Sequence, residues 1–580
     1  MRLLKQQKQK RTENNRISIF FSVLFFITPI FFFPKTQNPY LIKIFIAQFI
    51  VLCIGLISFI LYIEKKITLH PPNKTTCLFI LFLFSILLSF KNALYPTLVW
   101  NFFIEILSLT LLYYLSVQWI DPPKKEMIIK WIAYASFISG IYGLFQYFGI
   151  DFMPWKNVWG TRPFSTFGNP NFAAGWWIMV LPLFIVKIFE PKSSKKILWF
   201  FCTALGLCNL IWGQTRGAWA ALIFSIAITF THYFFIQKTK KFKSSTFYSI
   251  QITLIILLLT TSFFIVKKIC IETQNRAVLE RIFKWKTALA IIQDYPILGV
   301  GAGHLKVHFA NYQAEIKKQT PIELSATSES NVHNEFLQLG SELGFLGAVT
   351  FLFIFIFWYF QWTHSLRQVE PVHKTSLASA AGIFAFLLFC LTNFPLHFPP
   401  TAYLLIFLII TTQNNELKKQ TQLEQISNPK TAWRIGAIAV SFSYLYFYAY
   451  PLLYADYLRG QADQHQTQKN FFQAIQLYEK SIALDFYHSE RAAYELGEAY
   501  RSLGQLQKAI ESYQISIQIR HYGEVYNNIG NCYYLMKDFK QAIHYWKQAV
   551  LLGLPKNEDQ ILAEQNLKII QESVLNNKLN

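Results

Sequence analysis

Charge is scarce in this sequence, and most of it is basic. Asp, Glu, Lys and Arg make up only 15% of the 580 residues, and the formal net charge is +22. Because 53% of the residues are hydrophobic, so few charges could not cover the apolar surface of a soluble protein of this length. A basic face with interleaved aromatic residues is also lacking, so we expect no nucleic-acid partner.

Paired cysteines and metal-ligand clusters are missing from the sequence as well. None of the seven cysteines stands in a CxxC pair, so neither a disulfide framework nor a zinc site is predicted. His304 and His308 are four residues apart, but no acidic residue is placed to complete a metal site. The glycines of the run 299–303 follow no strand of a βαβ unit, so they indicate a tight turn. We expect no metal and no cofactor.

Apolar residues, by contrast, come in blocks of about 20, the length that crosses the roughly 30 Å hydrocarbon core of a bilayer. Backbone polar groups must be satisfied inside lipid, so each block is predicted to be a helix. The sequence therefore predicts an all-α protein whose main part is a polytopic bundle of about 12–13 transmembrane helices. The predicted spans are 17–34, 40–62, 76–90, 97–118, 128–149, 171–188, 197–214, 217–236, 248–267, 344–362, 376–394, 400–413 and 432–451.

Lys and Arg in the connecting segments predict the orientation. If the N-terminus is cytoplasmic, the inner segments hold 25 Lys and Arg, whereas the short outer loops hold five. Cytoplasmic loops of membrane proteins carry such an excess. An odd number of spans then puts the C-terminal part outside the cytoplasm. The predicted parts are a basic cytoplasmic tail at 1–16, a polytopic domain at 17–452 with a large outer loop at 268–343, and an extracytoplasmic domain at 453–580.

The C-terminal part repeats with a period of 33 to 35 residues. Gly497 is followed by Gly530, and aromatic residues recur behind them at Tyr513 and Trp546. This pattern is typical of the tetratricopeptide repeat, in which small residues let two antiparallel helices approach and aromatic side chains fill the gap. We predict an α-helical solenoid of about three repeats that acts as a docking arm for a protein partner of the cell envelope. A generic helical bundle is the alternative.

The most specific motif ends the large outer loop. His333 and Asn334 are followed by nine residues and then by Gly344-Phe345-Leu346-Gly347, which places a polar pair just before a membrane span. Three further motifs precede this one in the chain. They are RPFSTFGNPN at 162–171, QTRGAW at 214–219, and Arg281 with Trp285 ahead of DYPILGVG at 294–301.

In this order, the motifs resemble those of the O-antigen ligase and O-antigen polymerase (Wzy-type) superfamily, over about residues 15–415. The resemblance implies a multi-pass enzyme of the bacterial inner membrane. Such an enzyme would move a glycan from undecaprenyl diphosphate to an acceptor hydroxyl on the outer face, with inversion and without a metal. The thirteenth span departs from the twelve usual in the family, although it would place the repeats outside.

The resemblance also implies roles for particular residues. His333 would take the proton of the acceptor hydroxyl, since the pKa of histidine lies near neutrality. Arg216 and Arg281 would stabilise the diphosphate leaving group, since guanidinium groups bind phosphate oxygens in pairs. The further substrate-binding candidates are Arg162, Asn334, Asn169 and Asn171.

Each candidate also has a simpler interpretation. His333 could be an ordinary interfacial histidine, and Arg216 could be a topology anchor at a helix end. Arg281 has basic neighbours and could belong to a solvated face. Asn169 and Asn171 could shape a turn and cap the sixth span.

Other functions fit the sequence too. A Wzy-type polysaccharide polymerase and a protein O-oligosaccharyltransferase share these motifs, so the acceptor could be a glycolipid, a growing glycan or a protein. An alternative of another class is a non-enzymatic membrane scaffold or a transporter, which should carry charged residues near the middle of the bilayer. Lys43 and Glu105 are the nearest candidates. The polar motifs gather at one face instead, which favours an interfacial enzyme.

Overall fold

The computed structural model describes residues 17–575, with some segments left aside. Those segments are 34, 37, 39, 65, 154, 156–159, 192–194, 240–275, 320–328, 369–372, 414–430, 486–489 and 555. The described residues form helices and no strand, which confirms the all-α prediction. The predicted span 248–267 lies outside the described residues.

Thirteen of the described helices come before residue 413. Up to residue 239 they are α1 (Ile17–Ile30), α2 (Leu41–Ile63), α3 (Lys74–Leu88), α4 (Pro96–Trp119), α5 (Pro122–Tyr147), α6 (Pro170–Ile188), α7 (Lys196–Trp212) and α8 (Arg216–Thr239). From residue 276 they are α9 (Arg276–Asp294), α10 (Leu305–Gln319), α11 (Glu335–Gln368), α12 (Lys374–Cys390) and α13 (Pro399–Thr412).

The chain is a multi-pass membrane protein. By length and composition, eight of the described helices could each cross a membrane, and four shorter apolar helices accompany them. Together these helices correspond to twelve of the thirteen predicted spans. All fourteen residues of α13 are buried, so this short helix forms the centre of the bundle and is covered by protein.

Lys43, one of the two charged residues predicted inside spans, is fully buried in α2. Its ammonium group donates to the carbonyl oxygens of Thr28 and Pro29, each at 3.0 Å. These carbonyls lie in the last turn of α1, where helix geometry leaves them without partners. Lys43 therefore fastens α2 to the end of α1.

The last predicted span continues directly into the repeats. α14 (Thr431–Ser443), a π-helical stretch (Tyr444–Ala449) and α15 (Tyr450–Thr467) follow one another without a break. The remaining helices are α16 (Phe471–Leu484), α17 (Glu490–Ser502), α18 (Leu506–Ile519), α19 (Gly523–Leu535), α20 (Phe539–Leu552) and α21 (Asn557–Leu575). They pack as successive antiparallel pairs.

Glycine and aromatic residues meet inside these pairs, as the sequence predicts. A Cβ atom added to Gly497 would lie 2.5 Å from the ring of Tyr513, and one added to Gly530 would lie 2.5 Å from the ring of Trp546. Real Cβ atoms do not approach so closely, so each pair depends on its glycine. This packing confirms the predicted tetratricopeptide-like solenoid.

The repeats also pack against the membrane domain. Lys306 of α10 lies 3.2 Å from the carboxylate of Glu490 in α17. Ala310 and Ala314 of the same helix form an apolar cluster with Leu552. The hydroxyl of Tyr95 donates to the carbonyl of Gln518. The repeat domain is therefore joined to the loop that carries α10, and it does not extend as a separate arm.

Candidate functional site

Four segments meet at one end of the helix bundle: the α5–α6 connection, the α7–α8 connection, the residues before α11 and the residues after α12. We call this end the loop face. Three of the described non-glycine residues with positive φ lie there: Ser165 (53°), Gln214 (50°) and His333 (52°). The other two, Lys469 and Lys537, lie in turns between repeat helices. Such backbone costs about 1–3 kcal/mol and persists only where surrounding contacts impose it.

His333 lies in the loop face with its ring enclosed. The imidazole packs against Phe394, with 5.3 Å between the ring centroids. The side chain of Asn393 is its hydrogen-bond partner. Nδ1 is buried and has no hydrogen-bond partner among the described residues. This nitrogen is therefore suited to accept a proton from a group that enters the site.

Helix α9 brings positive charge to His333. The indole nitrogen of Trp285 donates to the carbonyl of the residue before His333 at 3.1 Å, which fixes α9 against the motif. Arg281, one turn before Trp285, and Lys284, directly before it, act electrostatically on the imidazole. Lys284 also forms a 2.7 Å ion pair with Glu329.

The surroundings of His333 keep its imidazole uncharged. Burial is the main reason that its pKa is lowered, and the positive charges of Lys284 and Arg281 lower it further, to about 4. Glu329 and Asn393 oppose the shift. An anion bound beside Arg281 would raise the pKa of His333, because negative charge favours the protonated form.

Asn334 holds the His333 motif in place. Its Oδ1 accepts from the backbone N–H of Leu337 at 3.1 Å, which caps the first turn of α11. Its Nδ2 donates to the carbonyl of Leu391 at 3.2 Å. Because both ends of the amide are bonded to protein, the geometry favours a positioning role for Asn334.

A buried ion pair lies behind the motif. Glu335, the first residue of α11, has Oε1 at 3.1 Å from Nε2 of His397, and its Oε2 accepts from the backbone N–H of Leu396 at 3.0 Å. Burial alone would lower the pKa of His397, but the carboxylates of Glu335, Glu342 and Glu105 raise it to about 9. The imidazole of His397 is therefore charged at neutral pH, and the pair ties α11 to the segment after α12.

Arg162 belongs to a second group of side chains. Its Nε donates to the carbonyl of Gly213 at 2.8 Å, and one Nη donates to the hydroxyl of Thr215 at 3.3 Å. That hydroxyl also lies 3.1 Å from Oδ1 of Asn171. Asn169 caps α6 by accepting from the backbone N–H of Asn171 at 2.8 Å. The network joins the motif before α6 to the motif that opens α8.

Arg216, the residue after Thr215, opens α8 and is exposed. No ion pair joins it to a carboxylate of the described residues. A Cβ added to the next residue, Gly217, would lie 2.7 Å from the hydroxyl oxygen of Thr392. Since Thr392 precedes Asn393, the start of α8 contacts the segment that supports His333. The exposed guanidinium is available to an anion at this face.

A small cavity lies between the two groups. Asn171 and Phe172 line it from α6, and Asn393 and Phe394 line it from the segment after α12. The structure thus places Arg281 within electrostatic reach of His333 and connects the start of α8, next to Arg216, to the His333 segment through Gly217 and Thr392. The predicted residues fall into two neighbouring groups, with His333, Asn334 and Arg281 in one and Arg162, Asn169, Asn171 and Arg216 in the other.

Sequence reasoning misses the segment after α12. Thr392, Asn393 and His397 support the site from this segment, yet it contains no Lys or Arg and resembles a short connection. The available signal is the polar pair Thr392–Asn393 at the end of an apolar block. Asn393 contacts His333, and Thr392 contacts Gly217. Both contacts join distant parts of the chain, so local patterning does not reveal them.

Two glycines explain the sharp turn at the end of the large loop. A Cβ on Gly299 (φ 66°) would lie 2.3 Å from the carbonyl carbon of Glu342, and one on Gly344 (φ 65°) would lie 2.3 Å from that of Ile297. The backbone around 297–299 and the backbone around 342–344 therefore cross in direct contact. α11 runs from Glu335 to Gln368 but has non-helical backbone at Gly344, so a short helix comes first and the long apolar helix starts at the predicted start of the span, residue 344.

His304 is used within the protein. Its Nε2 accepts from the backbone N–H of Tyr95 at 2.9 Å, and its Nδ1 lies 2.9 Å from the carbonyl oxygen of Ala302. No group of three metal-ligating side chains occurs in the part of the chain that the structure describes. His304 therefore anchors the turn after α9 to the start of α4.

Comparisons with family models support the broad class of protein that this arrangement indicates. Residues 201–352 match a family model described as O-antigen ligase. Residues 488–550 match a model described as tetratricopeptide repeat. The chain thus contains a region similar to O-antigen ligases, followed by tetratricopeptide repeats. No curated protein matches it.

The region that matches O-antigen ligase contains Arg216, Arg281, His333 and Asn334, whereas Arg162 precedes it. The match supports a role as a membrane glycan ligase or polymerase, with glycan or glycolipid substrates. The repeat match supports interaction with protein.

Proposed function

We propose that this O-antigen ligase-like protein transfers a glycan from undecaprenyl diphosphate to an acceptor hydroxyl on the outer face of the bacterial inner membrane. The observation that carries the proposal is the half-buried, uncharged imidazole of His333, whose buried Nδ1 has no hydrogen-bond partner among the described residues and which lies within electrostatic reach of Arg281. A neutral base next to cations suits a reaction in which a hydroxyl loses its proton while a diphosphate departs.

In the proposed step, the acceptor hydroxyl donates its proton to Nδ1 of His333 while its oxygen attacks the anomeric carbon. The bond between that carbon and the diphosphate oxygen breaks, and the electron pair leaves with the diphosphate. Arg216 and Arg281, assisted by Arg162, stabilise the growing negative charge. A single displacement inverts the anomeric carbon, and the step uses neither a metal nor a nucleotide.

Donor binding would also prepare the base. The diphosphate places negative charge beside Arg281, and this charge raises the pKa of His333 from the low value set by burial, Lys284 and Arg281. His333 then becomes a stronger base only when the donor is present. Without the donor, the low pKa of His333 limits protonation of its imidazole.

The distribution of Lys and Arg supports an outward orientation of the loop face. Arg216, exposed at the start of α8, then lies at the depth of lipid headgroups, where a lipid-linked diphosphate would be found. Inside the membrane such an exposed cation is costly without an anionic partner.

A deletion strain tests the proposed reaction and its acceptor. Loss of the gene should leave polymerised glycan on its lipid carrier, unattached to the final acceptor. Accumulation of single glycan units would indicate a polymerase instead. An unchanged glycan profile in a strain with no second copy would contradict both forms of the proposal.

A further inference from the structure

A polar cavity lies where the repeat domain meets the membrane domain. Its volume is about 230 Å³. The membrane domain contributes Asn38, Asn101 and Lys306, and the repeat domain contributes Asp456, Arg459, Ser481, Asp485 and Glu490. Apolar side chains, Leu41, Ile44, Phe45 and Leu452, complete the lining. Since residues of both domains form the lining, the cavity depends on their association.

Four of the charged side chains that line this cavity form two ion pairs. Arg459 donates to Oδ1 of Asp456 at 2.9 Å, and Oδ2 of the same carboxylate accepts from the backbone N–H of Asn38 at 3.0 Å. Lys306 donates to Glu490 at 3.2 Å. Donors and acceptors therefore stand side by side, and the excess of charge is small.

This lining favours a neutral ligand with several hydroxyl groups. An anion would face three carboxylates, and a cation would face Lys306 and Arg459. A hydroxyl both donates and accepts, so it can bond to either kind of group. The apolar part of the lining suits the C–H face of a sugar ring. The volume lies below the roughly 300–1,000 Å³ of sites for drug-sized ligands, which indicates a ligand of about one ring.

The cavity is also close to the His333 site. The backbone N–H of Tyr40 donates to Oδ1 of Asn38 at 3.2 Å. The ring of Tyr40 meets that of Phe172 edge to face, with 5.9 Å between centroids. Phe172 lines the small cavity beside Asn393, the partner of His333. Contacts through Tyr40 thus connect the linings of the two cavities.

We propose that the interdomain cavity binds one neutral sugar unit of the glycan that is transferred or extended at the His333 site. The inference rests on the proposed function and adds a saccharide subsite to it. The repeat domain then supplies half of a substrate site in addition to any docking surface.

Sugar binding by the full chain in lipid nanodiscs tests this subsite. The probes are free D-glucose, D-galactose and N-acetyl-D-glucosamine, measured by saturation-transfer difference NMR. Asp485→Asn alters the cavity from the repeat domain, and Asn101→Leu alters it from the membrane domain. If one variant fails to fold, sugar binding by the other still tests the subsite. Glu511→Gln, at an exposed carboxylate of α18, is the matched control.

At least one probe should bind both the wild-type chain and Glu511→Gln. Its signal should fall at least about tenfold in each folded cavity variant, which corresponds to a loss of about 1.4 kcal/mol of binding free energy. Absence of binding by all three probes would overturn the inference. Binding that both cavity variants retain would overturn it as well.

His333→Ala separates this inference from the proposed function. The variant should keep sugar binding and lose glycan transfer, whereas the cavity variants should raise KM and leave kcat near that of the wild type. Transfer that survives in His333→Ala contradicts the proposed function alone. Cavity variants with unchanged KM contradict the subsite alone.

Discussion

The imidazole of His333 packs on the phenyl ring of Phe394 at 5.3 Å between centroids, and this contact joins the residues before α11 to the segment after α12. Asn334 and Glu335 reinforce the same junction through Leu391 and His397. Three successive residues are thus fixed to one segment. These contacts fix the position of the imidazole. We therefore expect substrate binding to change the electrostatic environment of the imidazole more than its position.

Lys284 should control the basicity of His333. Replacing Lys284 with methionine removes a positive charge and leaves Glu329 without its ion pair, and both changes raise the pKa of His333 above about 4. The exposed neighbour Lys286 provides the control, because Lys286→Met should leave that pKa unchanged. Titration of the His333 imidazole by NMR measures the effect. Equal pKa values in both variants would show that charge from α9 does not reach the imidazole.

Arg216 should depend on the shape of its side chain as well as its charge. Arg216→Lys keeps the charge but loses the planar pair of donors, so glycan transfer should fall by about tenfold or more. Arg434→Lys, at an exposed arginine paired with Glu64, should leave transfer unchanged. Transfer is measured in membranes with equal amounts of each variant. Full activity of Arg216→Lys would indicate that Arg216 serves only as a positive charge that sets membrane topology.

Gly344 should be essential for stability. Its φ of 65° and the 2.3 Å approach of a Cβ to Ile297 leave no room for a side chain, so Gly344→Ala should cost at least about 1–3 kcal/mol. Gly436→Ala is the control, since no heavy atom lies within 4 Å of the corresponding Cβ. Thermal unfolding followed by tryptophan fluorescence should separate the two variants. A similar Tm for both would mean that the backbone crossing at Gly344 is not tight.

The Glu335–His397 pair should make stability depend on pH. The pKa of His397 is raised from 6.5 to about 9 in the folded protein, so the pair stabilises fully below about pH 6.5 and is lost as pH rises through 9. The Tm should therefore fall between pH 6.5 and 9. In His397→Gln this decline should be smaller, and the Tm at low pH should already be reduced. An identical pH profile for the two proteins would rule out this contribution.

Local patterns in the sequence were sufficient to predict most of the helices. Apolar blocks have the length of membrane spans, and the spacing of Gly497 and Gly530 predicts the contacts with Tyr513 and Trp546 that the repeats contain. The motifs also name residues that meet at the loop face, because each motif ends or opens a helix there. Both successes depend on residues close together in the chain.

Contacts between distant residues could not be predicted in this way. Nothing in the spacing of Lys306 and Glu490 indicates that the repeats pack on α10. Asn393 and Phe394 end an apolar block without any charge, yet they enclose His333. The change of direction of α11 at Gly344 depends on the backbone around Ile297, which lies far from it in the chain.

The central claim is that His333 removes the proton from the acceptor. The most direct measurement is glycan transfer by the purified chain in proteoliposomes containing an undecaprenyl-diphosphate-linked glycan and its acceptor, compared between wild type, His333→Ala and His364→Ala. His364 is an exposed histidine near the other end of α11. We predict that transfer by His333→Ala falls at least about a hundredfold, with donor binding retained, while His364→Ala behaves as wild type. Transfer by His333→Ala at the wild-type rate would contradict the account.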